Sequence, residues 1–163
     1  MMIARRKSMR NTFAIASGSV LTLLFWTGIA RASEKRVNYE DLRPAVQKTA
    51  QRESQGATVW GYLKEVGNGK IEYEVEMIVA GKSRDVSIDP SGKVIEVEQQ
   101  VALDAVPAAA MAAIRKEAKG DSIRKVEEVK SDAETAYEAQ ILSNGKHREI
   151  RVHVDGSAAP DQD

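Results

Sequence analysis

The residues best placed to do chemistry in this chain are carboxylates. Glu72, Glu74 and Glu76 alternate with Ile71, Tyr73, Val75 and Met77, a period-two pattern that buries one face of a strand and lines up three carboxylates on the other. Such a ridge offers oxygen ligands to a hard cation such as Ca²⁺, or an anionic surface to a basic peptide. Alternation alone also describes the wet face of an amphipathic strand. The spacing is not that of a calcium loop, so no metal ligand is assigned. Trp60 is the second candidate: an exposed aromatic anchors protein partners, whereas a buried one fills a core. Trp60, Glu72, Glu74 and Glu76 are therefore the expected partner-binding residues.

Catalysis finds no comparable support. His147 and His153 are the only histidines, and six residues of extended chain hold them roughly 20 Å apart, too far to share a metal ion. No serine or threonine sits in a nucleophile-elbow pattern. The chain has no cysteine, which excludes disulfides, thiolate chemistry and iron–sulfur ligation. Gly81-Lys82-Ser83 resembles the end of a phosphate-binding loop, but Glu76 stands where that loop needs its first glycine. No glycine pair opens a helix after a strand, so a dinucleotide cofactor has no support either. The reading is of a protein that is not an enzyme and has no cofactor.

The elements that position these residues follow an exported leader. Arg5, Arg6, Lys7 and Arg10 precede an apolar run over 13–29, and Ala30-Arg31-Ala32 supplies a small-x-small cleavage pattern. Residues 1–32 are read as a signal peptide cut after Ala32, giving a periplasmic or secreted protein with no stable membrane insertion. That segment carries five basic and no acidic residues of a total of 24 each, so the remainder has 19 basic, 24 acidic and a net charge of −5. A mildly acidic chain without a basic stripe is no candidate for nucleic acid.

Residues 33–40 read as a flexible leader. From 41 to 101, Asp41 caps a helix with Leu42, Val46 and Ala50 at four-residue spacing, and three strands follow, separated by Gly67-Asn68-Gly69 and Ala80-Gly81-Lys82. Asp89-Pro90-Ser91-Gly92 then turns the chain into Lys93 to Val101, a short fourth strand or an extended connection. From 102 to 157 the order recurs at an offset of 64, with Gly120 answering Gly56, Tyr137 answering Tyr73 and Gly145 answering Gly81. A one-residue slip near Ser122 to Val129 predicts a bulge. Residues 158–163 are a polar tail.

The fold expected is α+β: tandem repeats of a helix plus a three- or four-stranded antiparallel meander, sharing one core, with both helices on one face of a six- or seven-stranded sheet. The open face would carry Glu72, Glu74, Glu76, Glu138, Gln140, Glu149, Arg151 and His153.

Val106-Pro-Ala-Ala-Ala with its helix, Lys125-Val-Glu-Glu-Val129, Ala136-Tyr-Glu-Ala-Gln140, Asn144-Gly-Lys146 and Val154-Asp-Gly156 resemble the PepSY-like family, including its branch likened to β-lactamase inhibitor proteins. Tyr73-Glu-Val-Glu76 and Ile88-Asp-Pro-Ser-Gly-Lys-Val94 resemble it too. The resemblance implies a secreted, non-catalytic module that binds an envelope protein, and a peptidase- or hydrolase-inhibiting or regulating role. It supplies no catalytic residues. The alternative is a cation or small-ligand sensor using the acidic face.

Overall fold

The computed structural model of the protein describes residues 33–67 and 69–160. The signal segment and its cut after Ala32, Asn68 of the first turn and the last three residues of the tail lie outside them. The elements in order are β1 (Ser33–Val37), α1 (Pro44–Glu53), β2 (Thr58–Gly67), β3 (Lys70–Val79), β4 (Lys82–Ile88), β5 (Val94–Val101), α2 (Ala108–Ala118), β6 (Ser122–Ser131), β7 (Thr135–Ser143) and β8 (Lys146–His153).

The strands form one antiparallel sheet of eight, ordered β1 to β8 as in the chain. This corrects the expected tandem of helix-plus-meander repeats. The element that overturns it is β5, the fourth strand that the sequence offered, which joins the two expected units instead of ending the first. It pairs with β4 through Asp85 and Glu98 on one side and with β6 through Val101 and Val126 on the other. Its main-chain groups are thus satisfied along both edges, which welds every strand into one sheet.

Three further expectations change. Ser33 to Val37 is not a flexible leader but an edge strand pairing Ser33 with Val66 and Val37 with Tyr62. Asp41 does not cap α1; its side chain accepts the Asn38 N–H at 3.2 Å across a 3₁₀ turn, and Pro44 opens the helix instead. The polar tail is partly pinned: the Ala159 N–H donates to the Arg151 carbonyl at 3.1 Å, and Ala159 packs against Val129 and Ala136.

Both helices cover one face. Leu42, Val46 and Ala50 of α1 pack on Tyr73, Val75, Met77, Val86 and Ile88, while Ala110, Met111, Ile114 and Ala118 of α2 pack on Val126, Ala139, Ile141, Ile150 and Val152. The expected single core is two adjacent clusters. The turns after β4 and β8 bring backbone against the helices, so glycine is required there. A Cβ on Gly92, at φ +88°, would sit 2.7 Å from the Ala45 carbonyl oxygen, and one on Gly156, at φ +83°, would sit 2.7 Å from that of Ala109. β-Bulges interrupt β2 between Val59 and Gly61 and β6 between Ile123 and Lys125, the latter where the sequence slip places one.

Candidate functional site

The helix-free face of the sheet curves into a concavity of about 650 Å³ whose lining includes eleven acidic residues and only two basic ones, Lys125 and Arg151. Glu72, Glu74 and Glu76 of β3 are on it. The register brings to them residues that the sequence left unassigned. Glu76 lies opposite Asp85, and Asp85 opposite Glu98, so three carboxylates run in a row across β3, β4 and β5. Glu34, Glu65 and Glu72 form a second such row, and Glu127 faces Glu138 between β6 and β7. Like charges directly opposite one another on neighbouring strands destabilise a sheet.

Few cations answer them. Lys125 Nζ lies 2.6 Å from Glu127 Oε1, which also accepts from Ser83 Oγ at 2.9 Å. Glu127 is 1% exposed. Arg151, also buried, reaches Glu96 at 2.9 Å, Glu134 at 3.6 Å and Glu138 at 3.9 Å. Arg36 pairs with Glu76 at 2.8 Å. Among the described residues Glu74, Asp85 and Glu98 have no ion-pair partner. Burial, then the charges of Asp85, Glu65, Glu76 and Glu34, push Glu74 up to about 8. Burial, then Glu138, Glu127, Glu96 and Glu74, does the same to Glu98, also to about 8. Glu138 is raised to about 7 by burial and Glu149 against the opposing pull of Arg151, and Asp85 to about 6 by burial and Glu127 against the opposing pull of Lys125.

Trp60 stands at the rim, on the bulge of β2, and is 56% exposed. The bulge turns its ring out of the sheet. The Arg36 guanidinium lies 5.3 Å from the ring centroid and donates to the Trp60 carbonyl at 3.1 Å. Gly61 makes this possible, since a Cβ there would collide with the Arg36 guanidinium and the Glu76 carboxylate. Gly61→Ala is expected to cost less than about 1 kcal/mol, because the obstacle is the end of a flexible side chain, yet to expel Arg36 from its place over the ring. Tryptophan fluorescence of the exported chain, which retains Trp60 alone, would report that displacement; an unchanged spectrum would show that Arg36 stays.

Of the four expected contact residues, the three glutamates share the floor and Trp60 its rim. His147 and His153 lie on β8, and His153 Nδ1 is 3.2 Å from Glu134 Oε2, so it belongs to the Arg151 network. Asp85, Glu98 and Glu127 are the residues that sequence reasoning missed. Glu98 alternates with Val97, which was legible, but its adjacency to Asp85 depends on register.

No family model matches the sequence, and no curated protein matches it. Solved structures do. A Bacteroides eggerthii protein provisionally described as periplasmic aligns with TM-score 0.58 and 16% identity over 74% of this chain and 88% of its own. A BLIP-like protein from Bacteroides fragilis aligns at 0.52 and 14% over 74% and 85%, and a DUF2874 family protein from Bacteroides ovatus at 0.55 and 15% over 74% and 86%. At such identities the likeness is one of fold. No helix among the described residues is long and apolar enough to cross a membrane.

Proposed function

We propose that this chain is a non-enzymatic binding module of the cell envelope that takes a lysine- or arginine-rich segment of a protein partner into its acidic concavity, with Trp60 as an anchor at the rim. The observation that carries this reading is the set of opposed carboxylate rows. A sheet that places Glu76, Asp85 and Glu98 side by side, with Arg36 pairing Glu76 and no ion pair to Asp85 or Glu98 among the described residues, sacrifices stability, and local rules are broken in this way where a surface serves something other than the fold. Lys125 illustrates the preferred guest. Its ammonium group, held by Glu127 and close to Ser83, is an internal model of how the face holds an amine, and it favours a basic side chain over a metal ion.

The export signal read in residues 1–32 and the periplasmic description of structural neighbours support an envelope location. The PepSY-like resemblance and the fold shared with a BLIP-like protein support an inhibitory or regulatory role toward a peptidase or another hydrolase.

The exported chain is expected to bind pentalysine and to ignore pentaglutamate, with affinity falling as salt is raised. Changing Glu72, Glu74 and Glu76 together to Gln is expected to weaken pentalysine binding by about tenfold or more, as read by calorimetry. Equal binding of both peptides, or no loss in the triple variant, would overturn the reading.

A further inference from the structure

The carboxylates of the concavity are not equally provided for. Oxygens of Asp85, Glu98 and Glu127 lie within 4.8 Å of one another. Glu127 has Lys125 and Ser83 as donors. Asp85 does not share them: its Oδ1 is wholly buried and has no hydrogen-bond partner. A buried acceptor without a donor is costly; Lys125 and the Met77 backbone favour the Asp85 carboxylate, but neither supplies a hydrogen bond to this oxygen. From β3 Asp85 meets Glu76, whose own partner is Arg36 of β1. From β6 Lys125 is engaged by Glu127. On the far side of Glu98 stands Glu138 of β7, which Arg151 of β8 reaches only at 3.9 Å; Glu96 and Glu74 complete the surroundings of Glu98. Glu98 lies directly across the ladder from Asp85, and a carboxyl proton on it would supply the missing donor, since neighbouring carboxyl groups are more stable when one of them keeps its proton.

We propose that Asp85 and Glu98 hold a proton between them at neutral pH, and that the ammonium group of a bound partner takes its place, so that binding at the concave face releases protons. The inference rests on the binding reading above. In the exchange Glu98 gives up its proton to solvent and both carboxylates become acceptors for the incoming N–H donors; no bond other than O–H is broken. Burial and the surrounding carboxylates push Glu98 up to about 8 and, against the pull of Lys125 and of the Met77 backbone, Asp85 up to about 6.

Two measurements test it. In the exported chain, side-chain carboxyl carbon shifts of Asp85 and Glu98 are expected to show one titration midpoint above about 6.5; midpoints both below about 5.5 would overturn the shared proton. Pentalysine binding, followed by calorimetry in buffers of different ionisation enthalpy, is expected to release about one proton per complex near pH 7 and to tighten up to about tenfold per pH unit between about pH 6 and pH 8. Glu98→Gln keeps a donor for Asp85 that cannot leave, so this variant is expected to fold, to lose the proton release, and to bind pentalysine more weakly than the unaltered chain at pH 8. Binding by the unaltered chain without proton release would overturn the exchange alone. No binding of pentalysine at any pH would overturn the binding reading and the exchange with it, whereas the carboxyl midpoints would still decide whether the proton is held.

Discussion

Replacing Lys125 by Met is expected to destabilise the folded chain by about 3–5 kcal/mol at pH 8, the usual cost of leaving a buried charge without its partner. Glu127 is enclosed at 1% exposure and sits among carboxylates: Glu138 opposite it, Asp85 and Glu98 within reach. Lys125 is the cation that approaches it, at 2.6 Å. Met keeps the aliphatic stem and removes the charge, so packing is preserved and the loss is electrostatic. Urea unfolding reads the effect as a fall in midpoint with the slope unchanged. The double variant Lys125→Met with Glu127→Gln is expected to recover most of the loss, since the amide is neutral and keeps an acceptor for Ser83 Oγ, now 2.9 Å from Glu127. A Lys125→Met variant as stable as the parent would show that Glu127 is not held by charge.

The second large effect is an inverted dependence of stability on pH. Glu74 and Glu98 are raised to about 8, Glu138 to about 7 and Asp85 to about 6. In the unfolded chain these groups titrate near 4.5 and 3.8. A raised carboxyl keeps its proton in the folded state while the unfolded chain has lost it, so its contribution to stability is complete below the unfolded value and disappears as pH climbs through the folded one. The window of loss therefore runs from about 4 to about 8. The melting temperature is expected to be on the order of 10 °C higher at pH 5 than at pH 8.5. Added salt is expected to raise it more at pH 8.5 than at pH 5, by screening the ionised rows. Asp89 and Asp155 work the other way: both are lowered, first by hydrogen bonds from Ser91 and Ser157 respectively, so their contribution is lost only in stronger acid. A scanning calorimetry series across this range would show the maximum on the acid side; a maximum at pH 8 would refute the assignment.

How much of this was legible depended on which force set each feature. The β3 ridge was readable because Ile71 to Met77 alternate without interruption, and alternation is a local property. Edge strand β1 was not: Ser-Glu-Lys-Arg-Val carries no buried row, and its residues are ordered by main-chain pairing to Tyr62 through Val66. β5 was legible as a short fourth strand, but its pairing with β6 was not, because Val94 to Val101 is half-buried throughout and nothing in the segment names the partner on its far side. Likewise nothing local distinguishes Glu127 from Glu128, yet the bulge between Ile123 and Lys125 sets the phase that turns Glu127 into the concavity and Glu128 toward the Tyr137 hydroxyl on the other face, at 3.3 Å. Which carboxylates meet was decided by register, and register is a property of neighbouring strands rather than of any one segment.

The chain-ordered sheet has a consequence for how the molecule comes to be folded. Each strand pairs only with its neighbours in the chain, with β1–β2 closing over α1 and β5–β6 over α2. Pairing between chain neighbours keeps contacts local, which favours fast folding. A chain threaded through a membrane pore from its N-terminal end can therefore add strands one at a time as they emerge, each new edge being covered by the next segment delivered. Each inner edge, a usual seed of aggregation, is then exposed only for the interval between two successive strands, and the finished sheet keeps β1 and β8 as its edges.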